Sequence, residues 1–172
     1  EGERTPNVPD GTGVWIGIRP RPATAAHMAG AAMEGATLGL NYGLNRLRAL
    51  GVVPREIRLT GGGAQSALWR QIAADVFDCP VVCPTTEEGA AYGAALHAMW
   101  VQGHATGAGR EIGDITTAFV TMNDASRVVP EPGAAARYRD LQAIFDQAAR
   151  DLAGTFSLHR RYLRGQAPET GV

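Results

Sequence analysis

Hydrophobic positions along the chain recur with two periods. From about Thr24 to Leu50 they fall three and four apart, at Met33, Ala36, Leu40, Leu44 and Leu47, which predicts a long amphipathic helix. Ala31, Gly35, Gly39 and Gly43 form a second stripe on the same helix, each four residues from the next. Each glycine costs a helix up to about 1 kcal/mol against alanine, so the stripe predicts another backbone packed close against it. Gly51 and Pro54 end the helix. Strands are predicted at Val14–Ile18, at Glu56–Thr60, where Ile57 and Leu59 alternate with polar residues, and at Val81–Cys83. A helix is predicted from about Ser66 to Phe77, with Leu68, Trp69, Ile72, Ala73 and Val76 inward, and another from Glu87 to about Gln102, lined by Gly89, Ala90, Gly93, Ala94 and Ala98. Residues 103–133 read as irregular, with a short strand near Phe119–Met122. The last helix is expected from about Ala134 to His159, with Tyr138, Leu141, Phe145, Ala148, Leu152 and Phe156 on one face and an Asp146–Arg150 pair. Residues 164–172 read as a disordered tail. Alternating strand and helix predicts an α/β layered domain.

The length, 172 residues, fits one domain, and 45% hydrophobic residues suffice for a core. Aromatics are 6%, so small residues must do much of the packing. A net charge of −1 argues against nucleic acid or an acidic membrane surface as the main partner. All 16 basic residues are Arg, which excludes a P-loop lysine, a Schiff-base lysine and a protein-kinase β3 lysine. The cysteines, Cys79 and Cys83, are too few for a disulfide framework, and their spacing is not a zinc pattern. They read as half-buried residues at strand ends. No signal peptide opens the chain and no run approaches the ~20 apolar residues of a membrane span, so a cytoplasmic setting is expected. The opening Glu-Gly-Glu-Arg, without Met, is what a piece of a longer protein would show.

The sharpest local feature is strand, Gly61-Gly62-Gly63, helix. Glycines let the backbone turn tightly and let a ligand approach without Cβ clashes. The helix N-terminus beyond offers free N–H groups and the positive end of a dipole. Ser66 is placed to cap that helix or to donate to a ligand. The residues alone support a ligand cradle and a plain strand–helix turn equally. Gly61-x-Gly63-x-x-Ser66 is also a near-miss of the dinucleotide fingerprint, which wants an acidic residue ~20 positions on at the end of the next strand. Thr85 and Thr86 stand there instead, and Glu87 and Glu88 begin a helix. Other candidates read as structural. Glu34 is expected to satisfy a buried backbone or arginine group, and Asp75 and Asp78 to end a helix. Trp15, Trp69 and Trp100 are expected in the core or at its edge, with Trp69 alternatively shielding a ligand. Arg160, Arg161 and Arg164 read as solvated.

The stretch LTGGGAQSALWRQIAADVFDCPVVCPTTEEGAAYGAALHAM, Leu59 to Met99, resembles the second signature region of FGGY carbohydrate kinases, and its Gly-Gly-Gly-x-x-Ser-x-x-Trp-Arg-Gln form is similar to their xylulokinase branch. GERTPN, Gly2 to Asn7, and Glu34-Gly35 match in order and spacing, so the resemblance covers residues 1–163. It implies a C-terminal lobe of the actin-like, ribonuclease H-like ATPase fold, with ATP in a cleft between lobes and Mg2+ held mainly by other parts of the protein. It implies that Gly61, Gly62 and Gly63 line the nucleotide and that Ser66 lies near adenosine. Gly89 and Gly93 would sit on a connecting helix, its small face suited to close crossing. The catalytic Asp, the phosphate loops and the sugar-binding residues would lie upstream of residue 1, so no residue here is expected to be catalytic. The implied reaction is phosphorylation of a pentulose, foremost D-xylulose to D-xylulose 5-phosphate, with ATP and ADP as partners. Gln65, Tyr92 and Asn7 depart from the family's usual Arg, Leu and His. A nucleotide-binding module without turnover and a dinucleotide-binding fragment are the competing readings.

Overall fold

The computed structural model describes residues 2–4, 6–19, 24–107 and 109–166. Thr5, Pro20, Pro22 and residues 167–172 of the expected tail lie outside them. The chain divides into two compact units, one formed by residues 54–132 and the other by 1–53 with 133–172. No helix among the described residues is long and apolar enough to cross a membrane.

In the 54–132 unit, strand β1 (Ile57–Arg58) leads through a 3₁₀ turn (Gly62–Gln65) into helix α2 (Ala67–Phe77), followed by β2 (Val81–Pro84), α3 (Gly89–Ala105), α4 (Ile112–Phe119) and β3 (Met122–Val128). β2 is central, parallel to β1 and antiparallel to β3. The register sets Ile57 opposite Val81 and Pro84 opposite Met122. Burial explains the order: Val81 and Val82 are fully buried, and α2, which packs on β2, buries Ile72, Ala73, Val76 and Phe77. Leu68, expected inward, is 61% exposed. Cys79 is buried and Cys83 half-buried, and no disulfide joins them.

The expected irregular stretch 103–133 instead carries α4 and a seven-residue strand. Both are masked in sequence by polar residues. Thr116 and Thr117 return their hydroxyls to the Gly113 carbonyl, inside α4. Asn123 and Ser126 knit β3 to β2: Ser126 Oγ accepts from the Cys83 N–H at 2.9 Å, where the ladder is irregular. The Tyr92 hydroxyl donates to the Phe119 carbonyl at 2.7 Å, tying α3 to the end of α4.

The other unit holds α1 (Ala25–Ala49), α5 (Ala134–Asp151) and α6 (Ala153–Gln166). Thr24 caps α1, its hydroxyl accepting from the His27 N–H. Residues 164–166, expected in the tail, continue α6. The single terminal helix is thus two, interrupted at Leu152. The Asp146–Arg150 pair is replaced by Gln142 donating to Asp146 and Arg150 donating to Gln147. The α1 contact with α5 includes a buried polar pair that the expected apolar stripe did not foresee. Asn41 Nδ2 donates to Gln142 Oε1 at 3.0 Å, and Gln142 Nε2 donates to the Leu38 carbonyl at 3.2 Å. Leu40 and Leu47 stay 62% and 49% exposed.

Gly35 and Gly39 of the glycine stripe meet no backbone. Gly39 faces the Phe145 ring, and a Cβ on Gly35 would meet nothing within 4 Å. Gly35 instead borders an apolar recess of about 510 Å³ with Trp15, Ala31 and Phe156. Val14–Ile18 forms no strand: it has no neighbouring strand to share hydrogen bonds with among the described residues, and Ile16 and Ile18 are exposed.

Candidate functional site

The site grows from the end of β1. The Leu59 N–H donates to the Val82 carbonyl, extending the pairing to the edge of the glycine run. Gly61 then turns the chain with φ 88° and ψ 179°, a conformation open in practice to glycine alone. The Ala64 and Ser66 N–H groups close the 3₁₀ turn on the Gly61 and Gly63 carbonyls at 3.0 and 3.2 Å. Ser66 caps α2, its Oγ accepting from the Trp69 N–H at 3.2 Å.

Above this turn lies a cavity of about 730 Å³ walled by Gly61, Gly62, Arg70, Cys83, Glu87 and Glu88 among others. Cβ atoms added at Gly61 or Gly62 would meet nothing within 4 Å, so the backbone there is bare. Of the four predicted binding residues, Gly61 and Gly62 line the cavity. Gly63 packs on Trp69 and Ser66 is engaged as the cap, and neither is among the lining residues described.

Three residues that sequence reading did not assign to the site complete it. Arg70 Nη1 donates to the carbonyls of Ala64 and Gln65 at 2.7 and 3.2 Å. Gln65 Nε2 donates to Glu87 Oε2 at 3.1 Å, joining the glycine turn to the loop before α3. Ser126 contributes wall from β3. Arg70 was legible as the residue one turn after Ser66. Ser126 was not, because β3 read as loop. Gly89 lies close to Thr60, where a Cβ would stand 3.3 Å from the Thr60 Cβ, whereas Gly93, expected in a close helix crossing, has nothing within 4 Å.

The remaining candidates lie elsewhere. Glu34 accepts from the Tyr138 hydroxyl at 2.8 Å, rather than from a backbone or arginine group. Asp75 is buried and accepts from Gln71 Nε2 and the Glu131 N–H. Asp78 ends α2 in the left-handed conformation. Trp15, expected in the core or at its edge, is 45% exposed, and Trp100 lies between the rings of His97 and His104. At the sheet edge, outside the cavity lining, Arg127 donates to Glu56 at 2.7 Å and Arg58 adds a 3.3 Å contact. The Arg127 hydrogen bond foremost, and the Arg58 contact after it, hold the Glu56 carboxyl below its ordinary pKa.

The cavity can therefore hold a ligand over bare backbone. Its two carboxylates and threonine hydroxyls can accept hydrogen bonds from a polyhydroxy group. Among the described residues, no cluster of three or more His, Cys, Asp and Glu could hold a metal ion.

Comparisons with known proteins give the family. Residues 1–101 match the model of the FGGY family of carbohydrate kinases, C-terminal domain. The chain is 36% identical over 139 residues to a xylulose kinase of Haemophilus influenzae, covering 81% of this chain and 27% of that protein. It is 30% identical over 167 residues to a gluconokinase of Bacillus subtilis, covering 95% of this chain and 31% of that one. The solved structure of a ligand-bound xylulose kinase from Lactobacillus acidophilus superposes with a TM-score of 0.74 at 24% identity, over 87% of this chain and 29% of that one, which shows the fold. The chain spans under a third of the length of these proteins. Its α/β architecture is that of the actin-like sugar kinases, and the chain belongs to the FGGY family of carbohydrate kinases, matching its C-terminal domain.

Proposed function

We propose that this chain is the C-terminal, nucleotide-binding part of a cytoplasmic, ATP-dependent carbohydrate kinase, and that the nucleoside end of ATP or ADP occupies the cavity over Gly61 and Gly62. The observation that carries the reading is the bare Gly61-Gly62 backbone facing a cavity walled by Glu87 and Glu88. Carboxylates accept hydrogen bonds from ribose hydroxyls and repel phosphates. That favours the ribose at Glu87 and Glu88 and the phosphates directed away from them. Gly63 and Ser66 serve by shaping the turn and starting α2. Mg2+ accompanies ATP in phosphoryl transfer and neutralises phosphate charge; we assign its ligands to no residue of this chain.

The proposed reaction of the complete kinase is transfer of the γ-phosphoryl group of ATP to a hydroxyl of a pentulose, foremost D-xylulose, giving D-xylulose 5-phosphate. Xylulose kinases among the relatives favour that sugar; a gluconokinase and a glycerol kinase mark the other acceptors to compare. Residues of this chain bind and orient the nucleotide, and the sugar pocket and catalytic base belong to the rest of the kinase. A coupled ADP-release assay with ATP and Mg2+ tests this. The complete kinase is expected to turn over D-xylulose faster than D-gluconate or glycerol, and this chain alone to show no sugar-dependent release. Preference for another acceptor would replace the sugar, and no sugar-dependent turnover by the complete kinase would remove the kinase reading.

A further inference from the structure

Arg70 lines the cavity, yet its Nη1 is committed to protein. It donates to the Ala64 and Gln65 carbonyls, the last two of the 3₁₀ turn that begins at Gly62. Arg70 rises from α2, which is anchored by its buried neighbours Ile72, Ala73 and Ala74. The guanidinium therefore ties the floor of the cavity to the most firmly packed helix of its unit. It works beside two other groups. Ser66, Trp69 and Arg70 stand at i, i+3 and i+4, so they share one side of the first turn of α2. Ser66 caps the helix, the Trp69 ring supports Gly63, and Arg70 holds the carbonyls beyond it. The Arg70 Nε is buried with no hydrogen-bond partner among the described residues. A buried donor left unpaired is destabilising, so stability alone does not account for an arginine here.

We infer that Arg70 is a positioning residue, holding the Gly61–Gln65 turn in the shape that receives a nucleotide without itself contacting phosphate. The inference rests on the nucleotide reading of this cavity. Loss of the guanidinium loosens the turn, and the nucleoside portion of a ligand registers that loss as strongly as the phosphates do.

The test compares the chain with Arg70→Met and Arg70→Lys. Two measurements are made: amide hydrogen exchange at Ala64 and Ser66, and titration with adenosine and with ADP. Arg70→Met is expected to speed exchange at both amides and to weaken adenosine and ADP alike by about tenfold, the scale of a charge-assisted hydrogen bond. Arg70→Lys, whose ammonium can still donate to the carbonyls, is expected to restore part of both. Unchanged exchange and affinity in Arg70→Met would overturn the inference. So would a loss for ADP with none for adenosine, which would make Arg70 a phosphate ligand. Should the wild-type chain bind neither ligand, the nucleotide reading falls by itself, and exchange at Ala64 and Ser66 still decides whether Arg70 holds the turn. If Arg70→Met loses its fold, Arg70→Lys carries the comparison, with intermediate exchange expected and wild-type exchange contradicting it.

Discussion

The ring of Trp69 lies against Gly63: a Cβ on that glycine would stand 3.0 Å from Trp69 Cε3 and 3.1 Å from Cζ3. The third glycine of the run is thus required by packing, whereas the second is bare toward the cavity. Gly63→Ala is expected to lower stability by about 1–3 kcal/mol, as overpacking against a held ring does. Gly62→Ala, with nothing within 4 Å of its Cβ, is expected to change stability by much less. Denaturant midpoints of the two variants check this; equal losses would contradict it.

Asp75 ties α2 to the chain beyond β3. Its Oδ1 accepts from Gln71 Nε2 at 2.9 Å and from the Glu131 N–H at 2.7 Å, with the residue 7% exposed. Asp75→Ala removes the acceptor for both donors and is expected to cost about 1–3 kcal/mol. Asp75→Asn keeps a carbonyl oxygen there and is expected to lose less. Urea denaturation of both variants gives the order, and a milder effect for alanine would refute the acceptor role.

Glu56 supplies a pH dependence. Arg127 and then Arg58 depress its carboxyl pKa in the folded state below the ordinary 4.5. A depressed folded pKa means that the stabilisation is present above the unfolded value and is lost as pH falls through the folded one. The wild type is therefore expected to exceed Glu56→Gln in thermal midpoint near pH 6, with the gap closing as pH drops below 4.5. Because the groups are partly exposed, added salt is expected to narrow it as well. A gap that does not depend on pH would contradict the ion-pair account.

What could be read from the sequence was what neighbours in the chain determine. β1, the glycine turn, α2 and β2 follow from the alternation of Ile57 and Leu59, from Gly61, from the Ser66 cap and from the short apolar run at Val81–Cys83, all within 30 residues. The spacing of Ser66, Trp69 and Arg70 holds the logic of the turn. What was hidden depends on partners far along the chain. Val14–Ile18 has the apolar, β-branched and aromatic residues of a strand, but a strand exists only beside another. β3 is polar because pairing with β2, rather than burial of its own side chains, sets its conformation. On α1, hydropathy selected Leu40 and Leu47, while the contact with α5 runs through Asn41 and Gln142, a hydrogen bond no hydrophobic pattern can reveal. Glu87 read only as a helix start, since its role at the cavity depends on Gln65, 22 residues earlier.

The central claim is that the cavity over Gly61 and Gly62 receives nucleotide. The most direct measurement is a titration of the isotopically labelled chain with ADP, followed through its amide resonances, for the wild type and Gly62→Val. The Cβ site at Gly62 is open, so the fold should accept valine, while its methyl groups project into the ligand's space. Saturable shifts are expected at Leu59–Gln65 and Cys83–Glu88 in the wild type, and their loss in Gly62→Val with the other resonances in place. NAD is expected to bind more weakly than ADP. Shifts confined to other residues, or equal ADP affinity in a folded Gly62→Val, would contradict the account.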